Sequence, residues 1–182
     1  MEKPPEATWF YSHPFNSGQH VAHNEMLDEC VRRDYDWHIR VDDDCWIITR
    51  KWLGRLLRVA DNVKASTGMW PVLSPQIEGL DAPPQTIGAH DIGIEIVEKV
   101  EMLGGIFRMS HMGLIRYFRW DERQAMGFGD ASQFKSFCDS ARSDLLRVRG
   151  IRATHGESTQ RQNMNAAWKV QHDMDQYVPL GL

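Results

Sequence analysis

Between Gln19 and Lys64 the spacing of apolar residues changes period twice, and this limits the folds open to the chain more than any other feature. From Gln19 to Arg33, Ala22, Met26, Leu27, Cys30 and Val31 recur at helical spacing. The next segment, Trp37-His-Ile-Arg-Val41, reads as a strand that ends at Asp42, Asp43 and Asp44. After it, TRKWLGRLLRVADNVK returns to helical spacing, with Trp52, Leu53, Leu56, Leu57, Ala60 and Val63 on one face. TWFYSH near the start reads as a further strand, closed by the turn NSG. Strand, helix, strand, helix predicts an α/β fold: a mainly parallel mixed sheet flanked by helices.

Farther along, GMWPVLSP predicts a strand with Pro71 at its edge or start. GLDAPPQTIGAHD reads as a long loop because of its Pro-Pro and Gly content. IGIEIVEKVEM alternates Ile92, Ile94 and Ile96 and predicts a strand. MGLIRYFRW predicts a helix, as does ASQFKSFCDSARSD with Phe134, Phe137, Cys138 and Ala141 inward. Short extended pieces are expected around LLRVRGIRATH. Thr159 and Gln162 have capping-box spacing and open a last helix carrying Met164, Trp168 and Tyr177.

At 182 residues the chain suits one domain over 1–182, with 158–182 a C-terminal helix and tail. A 42% hydrophobic and 25% charged composition is that of a soluble globular protein. No apolar run approaches the roughly 20 residues that cross a bilayer, so no transmembrane segment is expected. Three widely spaced cysteines and an N-terminus without signal-peptide character make a reducing cytoplasm the expected location. A net charge of −4 argues against nucleic acid as a partner, although Arg142, Arg147, Arg149, Arg152 and Arg161 gather late in the chain. A solvated face is the ordinary explanation of such a group, and a phosphate contact the functional one.

The three aspartates repel one another. At the carboxyl end of a strand, where ligands gather in α/β sheets, hard carboxylate oxygens suit Mg²⁺ or Mn²⁺, and an ion carrying a diphosphate would offset the repulsion. A solvated turn or a helix N-cap is the ordinary alternative. Upstream, NSGQHVAHN places Asn16, Gly18, Ala22 and Asn24 in the arrangement N-x-G-x-x-x-A-x-N, before RRDYDWHIRVDDD.

Together these stretches resemble the middle of a family 2 type glycosyltransferase with the GT-A (Rossmann-like) fold. The resemblance implies that the Asn-Gly turn at Asn16 and Gly18 opens a helix beside the sugar-nucleotide site. It implies too that Asp42 and Asp44 form a D-x-D motif for metal and nucleotide, with Asp43 at the variable place. LGGIFRMSHMGLIRYFRWDE resembles the Gly-Gly segment that lines the donor-sugar and acceptor pocket, through Gly104 and Gly105. GFGDASQFKSFCDSARSD puts Asp130 at the catalytic-base position, where the family pattern is Glu-Asp and this chain has Gly129-Asp130. His155 in IRATHGES matches a histidine used as a further metal ligand. Arg108 or the late arginines would meet phosphate charge. The ordinary readings are a turn for Gly104 and Gly105, an N-cap for Asp130 and a surface or hydrogen-bonded histidine for His155.

The function so implied is metal-dependent, inverting transfer of a sugar from a nucleotide-sugar donor to a hydroxyl of a glycan or other acceptor, with Mn²⁺ or Mg²⁺ as cofactor. Only Met1 to Ala7 precede the strand aligned with a later family strand, so a truncated GT-A fold lacking much of the base-binding platform is expected. Weak, base-indiscriminate nucleotide binding follows from that, as does a sheet edge covered by the C-terminal helix, a second copy or a partner subunit. The alternative is a catalytically silent GT-A-like module that binds glycan or protein. A two-metal phosphohydrolase ranks third, because it needs a second acidic cluster.

Overall fold

The chain folds as α1 (Gln19–Arg32), β1 (Trp37–Val41), β2 (Cys45–Ile47), α2 (Trp52–Thr67), β3 (Val72–Glu78) and β4 (Thr86–Asp91), followed by β5 (Ile96–Val100), β6 (Phe107–His111), α3 (Met112–Ile115), α4 (Asp130–Ser140) and β7 (Leu145–His155). The structure, a computed structural model, describes residues 19–42, 44–80, 83–92, 95–123 and 130–156. The expected strand TWFYSH, the turn at Asn16 and Gly18 and the helix after Ser158 lie outside these residues. α2 stops at Gly68, whose φ of 77° is open to glycine and whose N–H reaches Lys64 O at 2.9 Å.

The seven strands form one mixed sheet in the order β1-β6-β3-β7-β5-β4, with β2 paired to β7. The expected α/β sheet flanked by helices is present, but it is not mainly parallel. Among the described residues only β3 and β7 pair in parallel, and the other pairings are antiparallel. The reason lies in β6. The helical crossover through α2 does make β1 and β3 point the same way, yet β6 enters between them and runs antiparallel to both. Its sequence, Phe-Arg-Met-Ser-His, follows the Gly-Gly segment and carries no turn signal of its own.

Strand periodicity divides the interior into two apolar layers. Val72 and Leu145 face one side with Leu27 of α1 and with Phe134 and Cys138 of α4. Their neighbours Leu73 and Leu146 face the other, against Leu56, Val59, Ala60 and Val63 of α2. α2 is rotated from the expected face: Val59 is fully buried, whereas Leu53 is 41% exposed.

Four further expectations are corrected. Residues 86–91 form β4, paired to β5, rather than the end of a long loop. In β5 it is Val97 and Val100 that point inward, while Ile96 is 54% exposed. The helix expected over 112–120 ends at Ile115, and the chain then feeds Phe118 and Trp120 into the core. LLRVRGIRATH is one strand, β7, whose register with β3 shifts between Pro75 and Gln76. Proline has no N–H to give the ladder, so the irregularity falls where a ladder bond is already missing.

Asn24, the last residue of N-x-G-x-x-x-A-x-N, ties α1 to the segment before α4. Its side-chain amide donates to Trp120 O and Glu122 Oε1, and its Oδ1 accepts from Trp120 N–H, each at 2.9 Å. His20 Nδ1 lies 2.9 Å from Asp121 O. Asn24→Ala leaves buried peptide groups unpaired and should cost about 1–3 kcal/mol, read as a lower urea midpoint with unchanged slope.

Candidate functional site

β1 and β6 set two arginines opposite each other, since Arg40 and Arg108 are register partners. Trp37, Ile39, Phe107 and Met109 point to the α2 side, so the alternating His38, Arg40, Arg108 and Ser110 point to the α1 and α4 side. Like charges opposed across strands repel, and both arginines are buried. Asp130, at the start of α4, answers them: its Oδ2 accepts from Arg40 Nη1 at 2.9 Å and from Arg108 Nη2 at 2.5 Å. Arg108 also lies over Phe134 and Trp120, 4.5 and 5.5 Å from the ring centroids.

Gly105 covers this ion pair. A Cβ at Gly105 would stand 2.7 Å from both Arg40 Nη2 and Asp130 Oδ2. The backbone can approach the guanidinium only because no side chain intervenes. Arg40 Nη2 also reaches Asp42 Oδ1 at 3.3 Å, so it links Asp130 to the first aspartate of the cluster. Gly104, exposed beside Gly105, has no atom within 4 Å of its would-be Cβ.

Asp42 and Asp44 stand between β1 and β2. Asp42 N–H donates to Ile106 O at 2.9 Å, and Asp42 O accepts from Cys45 N–H at 3.1 Å. Asp44 O accepts from Gly156 N–H at 2.8 Å, and Asp44 Oδ1 lies 3.4 Å from His155 Nε2. The two carboxylates therefore turn to different partners, Asp42 toward Arg40 and Asp44 toward His155. Asp43 lies outside the described residues, as do Asn16 and Gly18.

Asp44 and His155 fit two positions of a divalent ion's coordination sphere, because ligand atoms about 2.1 Å from one ion sit roughly 3 Å apart. Among the described residues no third His, Cys, Asp or Glu joins them in a metal-sized group. Remaining positions would fall to phosphate oxygens or water, as is usual for Mg²⁺ bound with a phosphorylated ligand.

Burial and charge act together around Asp130. Burial and then Arg40 lower the His23 pKa to about 3, with Asp130 pulling the other way. Burial, Arg108 and Arg40 lower that of His38 to about 4. Burial raises the pKa of Asp130, but Arg108 and then Arg40 outweigh it and hold the carboxyl below its ordinary value. Burial lowers that of Arg108, and Asp130 opposes the shift. At neutral pH the two histidines are uncharged and the carboxylate is ionised. Its Oδ1 is buried without a hydrogen-bond partner among the described residues.

Thus the structure brings together Asp42, Asp44, Gly105, Arg108, Asp130 and His155, from separate stretches of sequence. It directs Arg108 into the interior, onto Asp130. Of the late arginines, Arg147 and Arg149 pair with Glu98 and Arg152 with Glu78, while Arg161 lies outside the described residues. Arg40, His23 and His38 had no site signal in the sequence beyond the polar alternation of the strand and helix that carry them. Compared with known proteins, the chain matches no family model, no curated protein and no solved structure.

Two outcomes follow. Gly105→Ala should cost about 1–3 kcal/mol in urea denaturation, because its methyl group must displace the Arg40–Asp130 pair. In acid, an unfolded histidine takes up a proton near pH 6.5, whereas folded His38 and His23 resist until about 4 and about 3. The unfolded state therefore binds more protons below pH 6.5, and stability falls as pH falls through that window, by up to about 1.4 kcal/mol per pH unit for each histidine. Asp130 adds its loss only below the usual carboxylate range. Melting temperature should drop from pH 7 to pH 5, and His38→Gln should flatten the slope.

Proposed function

We propose that this chain is a glycosyltransferase-like protein that binds a nucleotide-sugar donor at the Asp42–Asp44 turn and transfers its sugar to a hydroxyl acceptor. The observation that supports this reading most is the convergence of residues 42, 44, 105, 130 and 155 at one end of the sheet. These residues stand far apart in sequence, and contacts through Arg40 and Gly105 and between Asp44 and His155 draw them together, as the family pattern they resemble would require.

In this reading Asp44 and His155 hold the cation that accompanies the diphosphate, with Asp42 beside them and positioned by Arg40. When bound, such an ion supplies positive charge to the departing phosphate. Gly105 lets the backbone close over the Arg40–Asp130 pair that positions the base. Asp130, ionised and fixed through Oδ2, takes the proton of the acceptor hydroxyl at Oδ1 as the oxygen attacks the anomeric carbon from the face opposite the diphosphate, a step that requires the buried Oδ1 to be uncovered for the acceptor. The anomeric configuration is thereby inverted.

Burial of Asp130 under Gly105 favours a second reading, in which the carboxylate serves only as the counter-ion of Arg40 and Arg108 and the chain is a silent binding module. Removing a partner from a buried pair costs about 3–5 kcal/mol, so Asp130→Asn should lower stability under either reading. Turnover measured well below the melting temperature separates them. Under the transferase reading, wild type transfers or slowly hydrolyses a nucleotide sugar, and Asp130→Asn loses most of this while Mn²⁺–nucleotide affinity stays.

The donor site is tested by calorimetry with uridine and guanosine diphosphates in Mn²⁺ and in chelator. Binding should require Mn²⁺, and Asp44→Asn and His155→Ala should each weaken it at least about tenfold without lowering the melting temperature. Metal-independent binding, or unchanged affinity in well-folded variants, would refute the site.

A further inference from the structure

We propose that His111 is a proton-operated latch on α3: with a neutral ring it caps the helix, and with a protonated ring it lets the first turn go. β6 ends at His111, whose backbone is still extended at φ −76° and ψ 137°. Its side chain turns back onto the next element, where Nδ1 accepts from Gly113 N–H at 2.9 Å. The ring is held in that position. It lies flat on Trp70, with the centroids 3.9 Å apart and the planes 8° from parallel. Trp37 stands edge-on to both, 4.9 Å from the His111 centroid and 5.4 Å from that of Trp70. A Cβ at Gly113 would stand 2.9 Å from Nδ1, so the backbone closes on the ring only because residue 113 has no side chain.

The hydrogen bond assigns the tautomer. A nitrogen that accepts carries no proton, so the neutral ring holds its proton on Nε2 and leaves only Nδ1 to take a second. A second proton therefore arrives on the atom that the cap uses, and two N–H groups then face each other. Stacking does not oppose this, because an indole face attracts a cation. The ring stays on Trp70 while its bond to Gly113 is lost. Burial, the largest influence, and Lys64 of α2 resist the proton, whereas Asp36, just before β1, and Asp61 of α2 favour it. The balance lies below the 6.5 of an ordinary histidine, so release comes in acid. α3 is a single turn, Met112–Ile115, too short to sustain itself. Met112 N–H keeps its bond to Asp36 O at 2.8 Å, and Met112 and Ile115 are buried with Phe118 and Trp120. The latch thus sets a pH-sensitive joint between β6, which carries Arg108, and the segment that carries those two rings.

The test uses the full chain labelled with ¹⁵N and ¹³C and titrated from about pH 7.5 to about pH 4.5. At the upper limit the His111 ring should be the Nε2–H tautomer. The ring and the Gly113 amide should then titrate with one midpoint below 6.5. Hydrogen-exchange protection of Gly113 should stay below that of Val148 in the core, which marks local opening. Across the midpoint it should fall at least about fivefold, the effect of a lost cap. His111→Asn supplies an acceptor that does not titrate and should abolish this step, whereas His111→Ala should leave protection low throughout. An Nδ1–H tautomer near neutral pH, or a Gly113 midpoint apart from that of the ring, refutes the latch even if neither variant folds. So does Gly113 protection equal to that of Val148 at every pH, which reports only global unfolding, or a step that persists in His111→Asn.

Discussion

The three-way contact of Asp130 with Arg40 and Arg108 is the interaction on which the site end of the molecule depends. It lets β1 and β6 pair although two guanidinium groups face each other across the ladder. It fixes the start of α4 against the sheet, and with it the aromatic side chains of Phe134 and Trp120 under Arg108. A buried pair of this kind adds little net stability over apolar packing, because desolvation offsets the attraction. It ties the start of α4 to the sheet at the point where Asp130 meets both guanidinium groups.

From this contact the rest of the site is reached by short steps. Arg40 has a second carboxylate, Asp42, and so carries the charge pattern out to the turn after β1. The turn separates the aspartates, sending Asp44 toward His155 at the end of β7. Asp42 and Asp44 are tolerable this close because the backbone sends them to different partners. The chain thus has a buried, charge-balanced anchor at one side of the turn and the solvent-exposed Trp46 at the other.

The layered fold also explains why His23 and His38 stay neutral. Both lie near the two arginines on the α1 and α4 side of the sheet, where burial and neighbouring positive charge act in the same direction. Protonating either would add a third cation to a pocket whose carboxylate, Asp130, already answers both guanidinium groups. Asn24 and His20 close that side by tying α1 to residues 120–122, so that α1, the segment before α4 and the sheet form one packed unit.

Local periodicity was sufficient for the helices α1, α2 and α4, for β1 and β3, and for the placing of acidic residues at a strand end, because these depend on side-chain spacing along a few turns or a few residues of strand. The pattern D-x-D, Gly-Gly, Asp and His was legible as an ordered series, though not as a cluster. β6 and β4 were not legible, since a five- or six-residue strand containing His, Arg or Gly has too little alternation to declare itself before its neighbours are known. The direction of the sheet was decided by β6 inserting between β1 and β3, a pairing between residues some 70 positions apart. The same is true of Arg40: alone in WHIRV it reads as a solvated side chain, and only the arrival of Asp130, 90 residues later, makes its burial affordable. Sequence by itself determined which chemical groups stand at the strand ends. Tertiary structure decided which of them are buried, paired or left facing solvent, because desolvation and charge balance are set by atoms that neighbouring sequence does not supply.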